Sequence, residues 1–270
     1  MLALGLALAA LIGLTLGLLG GGGSILTVPV LVYVLGYAAK PAIAMSLPVV
    51  GITSLIGAAM HWRLGNVRVS MALGVGLLAM IGAFAGARLA TYMSGGAQLA
   101  LLALAMTGAS VSMLRNGPGA TEPHGRSHRA LLAVIALGVG VLTGLVGIGG
   151  GFLVVPALVL LARVPMRQAV GTSLLVIAMN SAAGLAGYLG NVHLDWAFVA
   201  GFTAAAVAGA LAGTALVARL PHAALKRGFA VFLLVTGGFV LYRNRDVFDL
   251  AEPTSSVPPA AQALRPVPVR

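Results

Sequence analysis

Apolar residues in this chain come in long blocks separated by short polar breaks, and ten such blocks can be counted. In the first half they run over 2–19, 24–36, 42–60, 69–90 and 97–114; in the second, over 130–147, 151–162, 168–189, 196–218 and 224–242. The blocks show neither the polar face of a surface helix nor the alternation of a barrel strand. About 18 or more uncharged residues cross a hydrocarbon core of ~30 Å, and lipid leaves the backbone no partner but itself. The pattern therefore predicts an all-α, polytopic membrane protein. The second and seventh blocks fall short. Thirteen helical residues rise only about 20 Å, and each block holds a proline, Pro29 or Pro156. Each reads as a half-helix or a strongly broken one; a kink is the simpler alternative and still leaves the preceding glycines unwound. The expectation is eight full spans plus two short segments, or ten crossings.

Between the halves, Arg115 to Arg129 form a polar linker holding Pro118, Glu122, Pro123, His124 and His128. After Tyr242 the chain turns polar and then rich in Pro, Ala and Ser, so the tail over 246–270 is expected to be disordered. The organisation expected is a first membrane repeat over 1–114, a linker over 115–129, a second repeat over 130–245, and the tail. Segment 2–19 is read as part of the mature protein. It lacks the positive n-region of a cleaved leader and matches the interior segment 130–147.

That match is part of a self-similarity at an offset of 127 residues. The run from Gly17 to Leu31 aligns with Gly144 to Leu158, identical at nine of fifteen positions, four of them glycine and one the proline. Farther on, Lys40 pairs with Arg167, Ser46 with Ser173, Ser54 with Ser181 and Gly57 with Gly184. Gly82 and Gly86 pair with Gly209 and Gly213, and the turn Gly65-Asn66 recurs as Gly190-Asn191, two residues out of step. Duplicated halves with Gly/Pro-interrupted short segments at matching places mark secondary transporters, whose substrate site lies near the midplane where helices break. The matching breaks are Gly20 to Ser24 and Gly147 to Gly151. Unwound glycines expose backbone N–H groups, and the helix that follows presents its positive end, a combination suited to an anion.

Each half thus carries a G-x-x-G-x-G-G-G-like run, then V-P, then Lys or Arg and a patch of Ser and Thr. In this the chain resembles the TauE/SafE sulfite exporter family, also called the TSUP family, over essentially residues 5–243. The first copy departs from the pattern with Gly21 where the second has Ile148, and Ser24 where it has Gly151. The resemblance implies a membrane permease for sulfur-containing anions such as sulfite, sulfonates and sulfoacetate, or for another organic acid, in the bacterial cytoplasmic (inner) membrane. It does not choose among these substrates, nor between import and export.

Composition narrows the chemistry. Hydrophobic residues make up 60% of the chain and charged residues 8%, against about a quarter charged in a soluble domain. A formal charge of +11 raises the question of nucleic acid. The Lys and Arg residues sit singly or in pairs between apolar blocks, with no basic stripe or interleaved aromatics, so anchoring beside the membrane explains them better. The absence of cysteine rules out disulfides, thiolate metal sites and cysteine catalysis. All five acidic residues, Glu122, Asp195, Asp246, Asp249 and Glu252, lie in loops or the tail. Ionisable groups at membrane depth usually mark ion pathways. A cation carrier or carboxylate relay is hard to build without them, and any coupling ion must be held by carbonyls and hydroxyls, held by a histidine, or arrive on the substrate. No cofactor, metal site or enzyme activity is expected.

Polar candidates at membrane depth are Ser46, Thr53 and Ser54 in the third segment, with Thr172, Ser173, Asn180 and Ser181 in the eighth. Ser and Thr often glue membrane helices or bond their own backbone; Asn180 is the stronger candidate, because burying an amide costs more than burying a hydroxyl. The substrate-binding set expected is Gly20, Gly22, Gly23, Ser24, Thr53, Ser54, Gly147, Gly149, Gly150, Gly151, Asn180 and Ser181. Lys40 and Arg167 are either anion-attracting groups at its mouth or snorkelling anchors, with the anchor favoured. Arg88, with Ala215 at the matching place, reads as an anchor. His61, with Tyr188 at its matching place, reads as interfacial. The pairs Gly13/Gly17, Gly82/Gly86, Gly140/Gly144 and Gly209/Gly213 read as close-packing motifs.

If all ten segments cross, one side collects Arg63, Arg68, Arg115, Arg126, Arg129, Arg163, Arg167, Arg219, Lys226 and Arg227. The other has Lys40, Arg88, Arg243 and Arg245, plus Arg265 and Arg270 in the tail. The first side would be cytoplasmic. With two re-entrant segments the count splits evenly before the tail and decides nothing. The competing readings are an intramembrane serine protease, for which no deep histidine joins Ser24 and Gly151 replaces it in the second copy, and a non-transporting subunit or scaffold. A dinucleotide or phosphate loop is a weaker reading still, since no Lys follows Gly23 and no strand-loop-helix context with a downstream acid exists. Oligomeric state is not legible.

Overall fold

A computed structural model of the protein describes residues 2–115, 127–146, 151–160, 162, 164–189, 194–217 and 220–243. The tail expected to be disordered lies outside the described residues, as do positions 116–126 of the linker. The helices are α1 Leu2–Leu19, α2 Gly22–Pro29, α3 Ala39–Arg63, α4 Val69–Ala90 and α5 Gly95–Arg115, then α6 Ser127–Val146, α7 Gly151–Leu160, α8 Met166–Tyr188, α9 Trp196–Val217 and α10 His222–Arg243. No strand occurs among the described residues. Helices α3, α4, α8 and α9 are each long and apolar enough to cross a membrane, and α3 and α8 are the most enclosed of the four. Large apolar side chains such as Leu55, Leu77, Ile81, Val134 and Val235 stand exposed on the outside, as lipid-facing residues do.

The short second segment is α2 continued by a π-helical turn over Val30–Val34. Pro29 has no N–H to give and its ring crowds the carbonyl one turn back. The chain widens just after it: Leu35 N–H reaches the Val30 carbonyl at 3.0 Å and Tyr37 N–H the Leu31 carbonyl at 2.9 Å. The same pair recurs behind Pro156, where Ala162 donates to Ala157 and Val164 to Leu158. Both short segments therefore end alike because both carry the proline.

Where that segment goes bears on the number of traverses. Gly23 lies against Ile12 and Leu16 of α1, so α2 folds back along α1. The end of the π turn then reaches the start of α1, where a methyl on Gly5 would stand 3.4 Å from the Leu35 side chain. At the far end of α3, His61 meets Gly17 near the end of α1, so α1 and α3 run in the same sense. The loop from α3 to α4 packs on the start of α8 through Arg68, whose Nε donates to Gln168 Oε1 at 2.7 Å and whose N–H donates to Thr172 Oγ1 at 3.0 Å. Two re-entrant segments would put these two places on opposite faces. The geometry is that of ten traverses, with Arg68 and Arg167 on one face and Lys40 on the other beside Thr91.

Contacts between helices recur at the same offset as the sequence. A methyl on Gly13 would overlap the Ala206 carbonyl and one on Gly17 the Ala210 carbonyl, joining α1 to α9; Gly140 and Gly144 are pressed in the same way on Ala79 and Ala83, joining α6 to α4. Conversely Gly209 and Gly213 abut Ala10 and Leu14, while Gly82 and Gly86 abut Leu137 and Val141. Small residues let backbones touch, where Cα–H groups reach carbonyl oxygens and dispersion replaces the missing hydrophobic drive. The close-packing motifs thus hold one half against the other.

Candidate functional site

The first break is a single residue of left-handed backbone. Gly20 has φ +75°, a region that costs an L-residue about 1–2 kcal/mol. Its N–H still bonds Leu16 O at 2.8 Å, and Gly21 N–H turns to Leu19 O at 2.9 Å. A Cβ at Gly20 would also stand 2.7 Å from Ser173 Oγ and 3.0 Å from the Val170 backbone. The break of the first half is therefore seated directly on α8 of the second. Gly21 precedes α2 without a side-chain cap, so the first-turn amides of Gly22, Gly23 and Ser24 have no capping oxygen. Ser24 is fully buried, and its hydroxyl donates to Gly21 O at 2.7 Å. Gly23 is needed for another reason: α1 leaves no room for a side chain there. Of the second break, Gly151 opens α7; Gly147, Gly149 and Gly150 lie outside the described residues.

The polar candidates of α3 and α8 separate into two groups. Ser46 and Ser173, 127 residues apart, each return their hydroxyl to a carbonyl three residues back, Ile43 O at 2.7 Å and Val170 O at 2.8 Å. Thr172 accepts from Arg68 N–H. By contrast Thr53 Oγ1, Ser54 Oγ, Ser181 Oγ and both amide atoms of Asn180 are buried with no partner in the structure. Thr53 matches Asn180 at the repeat offset, as Ser54 matches Ser181. These four residues are at most 1% exposed. Ser181, next to Asn180, stands where α3 meets α8, for a methyl on Gly51 would lie 3.0 Å from its Cβ, and Thr53 and Ser54 follow Gly51 within one turn of α3. Leaving a buried donor or acceptor unpaired costs about 1–3 kcal/mol each, so a cluster of four calls for a reason.

Asn180 lies seven residues beyond Ser173 on α8, two turns and about 10 Å along the same face. The residues between the break and the crossing are apolar: Leu16, Val50, Leu174 and Ile177 form one buried cluster with Ala58. In this conformation the crossing is closed from the break side by those side chains.

Lys40 and Arg167 each bond a carbonyl beyond the end of another helix. Lys40 Nζ donates to Thr91 O at 3.2 Å and is exposed; one Arg167 guanidinium nitrogen donates to Leu220 O at 2.9 Å. Each places positive charge at the C-terminal end of a helix in its own half, α4 or α9, where carbonyls lack partners. Arg88 lies over the Phe84 ring at 5.4 Å. His61 and Tyr188 differ from the interfacial reading. Both stand near the ends of their helices, yet both are buried in protein. His61 Nε2 is 3.1 Å from Gly17 O, and Tyr188 OH lies 3.3 Å from Gly144 O and 3.4 Å from Leu145 O. A carbonyl only accepts, so His61 Nε2 carries the hydrogen and Nδ1, buried and without a partner, keeps a lone pair. The sequence also gave no notice of Gln98, fully buried in α5 with Nε2 donating to Ala90 O at 3.0 Å.

The arrangement supplies N–H and O–H donors and no negative charge. The one acidic residue among the described residues, Asp195, caps α9 by accepting from Phe198 N–H at 3.0 Å. No cluster of His, Cys, Asp or Glu able to hold a metal occurs among the described residues.

Comparison with known proteins agrees in kind. A family described as "Sulfite exporter TauE/SafE" matches residues 5–240. The chain is 34% identical over 245 residues to a probable membrane transporter protein of Xylella fastidiosa (strain 9a5c), covering 87% of this chain and 92% of that one. It is 30% identical to a probable membrane transporter protein of Haemophilus influenzae, over 85% and 94% of the two chains. A probable membrane transporter protein of Bacillus subtilis (strain 168) is 26% identical over 86% and 97%. No solved structure matches significantly.

Proposed function

Because the chain belongs to the sulfite exporter TauE/SafE family and is an integral membrane transporter, we propose that it is a secondary permease for a small sulfur-containing anion such as sulfite or an organosulfonate. The anion binds between the two halves, at the α3–α8 crossing and the glycine breaks that flank it. The carrying observation is the cluster of unpaired polar groups on Thr53, Ser54, Asn180 and Ser181. An oxyanion gives these hydroxyls and the amide N–H group acceptors they otherwise lack, and the uncapped start of α2 adds positive potential nearby. The missing membrane carboxylates favour the same class of cargo. With bacterial relatives among its kin, the protein is assigned to the cytoplasmic membrane.

Transport of labelled sulfite and labelled methanesulfonate into proteoliposomes tests this directly. Saturable flux of either, competed by the other, supports the reading. Absence of flux for every anion offered would favour a non-transporting membrane subunit.

A further inference from the structure

The two halves match closely around their breaks, and they differ at one chemically decisive place. Where the second half has Tyr188 on the carbonyl of Gly144, the first has His61 on the carbonyl of Gly17. Either side chain can pin the end of the preceding helix. Only the imidazole has a second ring nitrogen that can accept a proton. Its Nε2–H is committed to Gly17, and its Nδ1 lone pair is buried without a donor. Gly171 of α8 touches the His61 Cβ, and its neighbours Val170 and Ser173 carry the Gly20 break. The His61 side chain therefore packs on α8 at Gly171, the residue next to the Val170 backbone on which the break rests.

On the premise of the transport reading above, we infer that His61 carries the coupling proton. One proton bound at Nδ1 enters with one anion at the first break and leaves with it on the other side, which makes the protein an anion–proton symporter.

The charges around His61 make this coupling obligatory. Helices α1, α2 and α9 contribute no ionisable side chain, the π turn contributes Tyr33, and α5 contributes Arg115 at its far end. Helix α8 brings Arg167 and, at its other end, Tyr188; α3 itself brings Lys40 far away and Arg63 two residues on. The loop that follows brings Arg68. No carboxylate faces the ring from any of these elements. A buried imidazolium among cations is costly; among the described residues the one carboxylate, Asp195, caps α9, so the negative charge that offsets it is the substrate's. Anion binding therefore favours protonation at Nδ1, and protonation favours anion binding by the same free energy. The other histidines of described helices, His128 and His222, stand in the first turns of α6 and α10.

The test uses the full chain in proteoliposomes with a trapped pH dye, potassium and valinomycin holding the potential at zero, and labelled methanesulfonate as probe. A sulfonate stays ionised at working pH, so a proton that moves with it has been carried by the protein. Wild type should acidify the lumen by about one proton per anion, and an acidic exterior should drive accumulation of the anion inside. His61→Tyr, which gives the first half the residue of the second, and His61→Gln should exchange anion at a reduced rate with a proton-to-anion ratio lower by roughly tenfold. The ratio does not depend on the rate, so a slow variant still reports. Anion flux by wild type without acidification overturns the inference while leaving transport standing, and so does an undiminished ratio in either variant. No flux of methanesulfonate or sulfite by wild type overturns transport itself and the inference with it.

Discussion

Leu47 of α3 rests on Gly184 of α8, whose added methyl would lie 3.2 Å from the leucine Cδ2, and Leu174 of α8 rests on Gly57 of α3 at 3.3 Å. Each member of the first contact is 127 residues from its counterpart in the second. As α3 climbs from Leu47 to Gly57, α8 descends from Gly184 to Leu174, so the two helices run antiparallel. A two-fold axis that exchanges antiparallel helices must be perpendicular to them. The halves are thus related as an inverted pair, whereas α1 runs parallel to α9 and α4 to α6. Such a pair allows one carrier to present the same site to either side by rocking about the crossing. The unpaired residues Thr53, Ser54, Asn180 and Ser181 lie on either flank of that axis.

If those unpaired groups serve a ligand, they cost stability in its absence. Replacing Asn180 by Leu removes two orphaned amide atoms at similar volume, which should raise the thermal midpoint in detergent by a few degrees, corresponding to about 1–3 kcal/mol. Flux of sulfite should fall by tenfold or more at the same time. A variant that loses both stability and flux would instead assign Asn180 to the fold.

The Gly20 break makes a sharper claim, because two effects coincide there. Gly20→Ala meets both the left-handed backbone and the Ser173 hydroxyl. Removing that hydroxyl by Ser173→Ala relieves the second effect only. The double variant should recover part of the stability lost in Gly20→Ala, with a coupling of about 0.5–3 kcal/mol between the sites. Strict additivity in thermal unfolding would show that the break does not rest on Ser173.

Glycines elsewhere separate in the same assay. Gly13→Ala and Gly140→Ala drive a methyl into the backbone of α9 and α4 respectively, with no flexible side chain to yield. Both should lower the yield of folded protein severely. Gly74→Ala and Gly108→Ala meet nothing within 4 Å and should be neutral or stabilising by up to about 1 kcal/mol. Fluorescence-detected size exclusion after graded heating ranks the four; equal tolerance of Gly13→Ala and Gly108→Ala would contradict the packing of α1 on α9.

Much of this architecture was written in the sequence, and the part that was not has a physical cause. The break at Gly20 and the prolines at 29 and 156 are legible because Gly and Pro act on their own backbone. Asn180 stood out because a buried amide is expensive wherever it sits. The partner of a small-residue motif is another matter: Gly13 and Gly17 announce a close approach without naming α9, since any helix with a matching groove would serve. His61 precedes Trp62 and Arg63, a neighbourhood that resembles a membrane interface, and only the placement of α1 and α8 shows it enclosed. Length left residues 24–36 open between a half-helix and a crossing. A residue count measures how far a helix reaches, whereas the contact of Leu35 with Gly5 shows where the chain arrives.

That contact leads to the prediction on which the inverted arrangement stands. With ten traverses, the α3–α4 loop and the α7–α8 junction share a face, as the bond from Arg68 to Gln168 requires. With two re-entrant segments they would be on opposite faces. The protein has no cysteine, so single cysteines report without background. Leu64→Cys and Pro165→Cys, both at exposed positions, should react with an impermeant maleimide from the same side of intact cells or sealed vesicles. A cysteine in place of Lys40, on the opposite face, should react only from the other side. The positive-inside count places the first face in the cytoplasm, so Leu64→Cys and Pro165→Cys should be protected in intact cells and labelled after permeabilisation. Opposite protection of those two positions would remove the antiparallel relation of α3 and α8, and with it the shared site at their crossing.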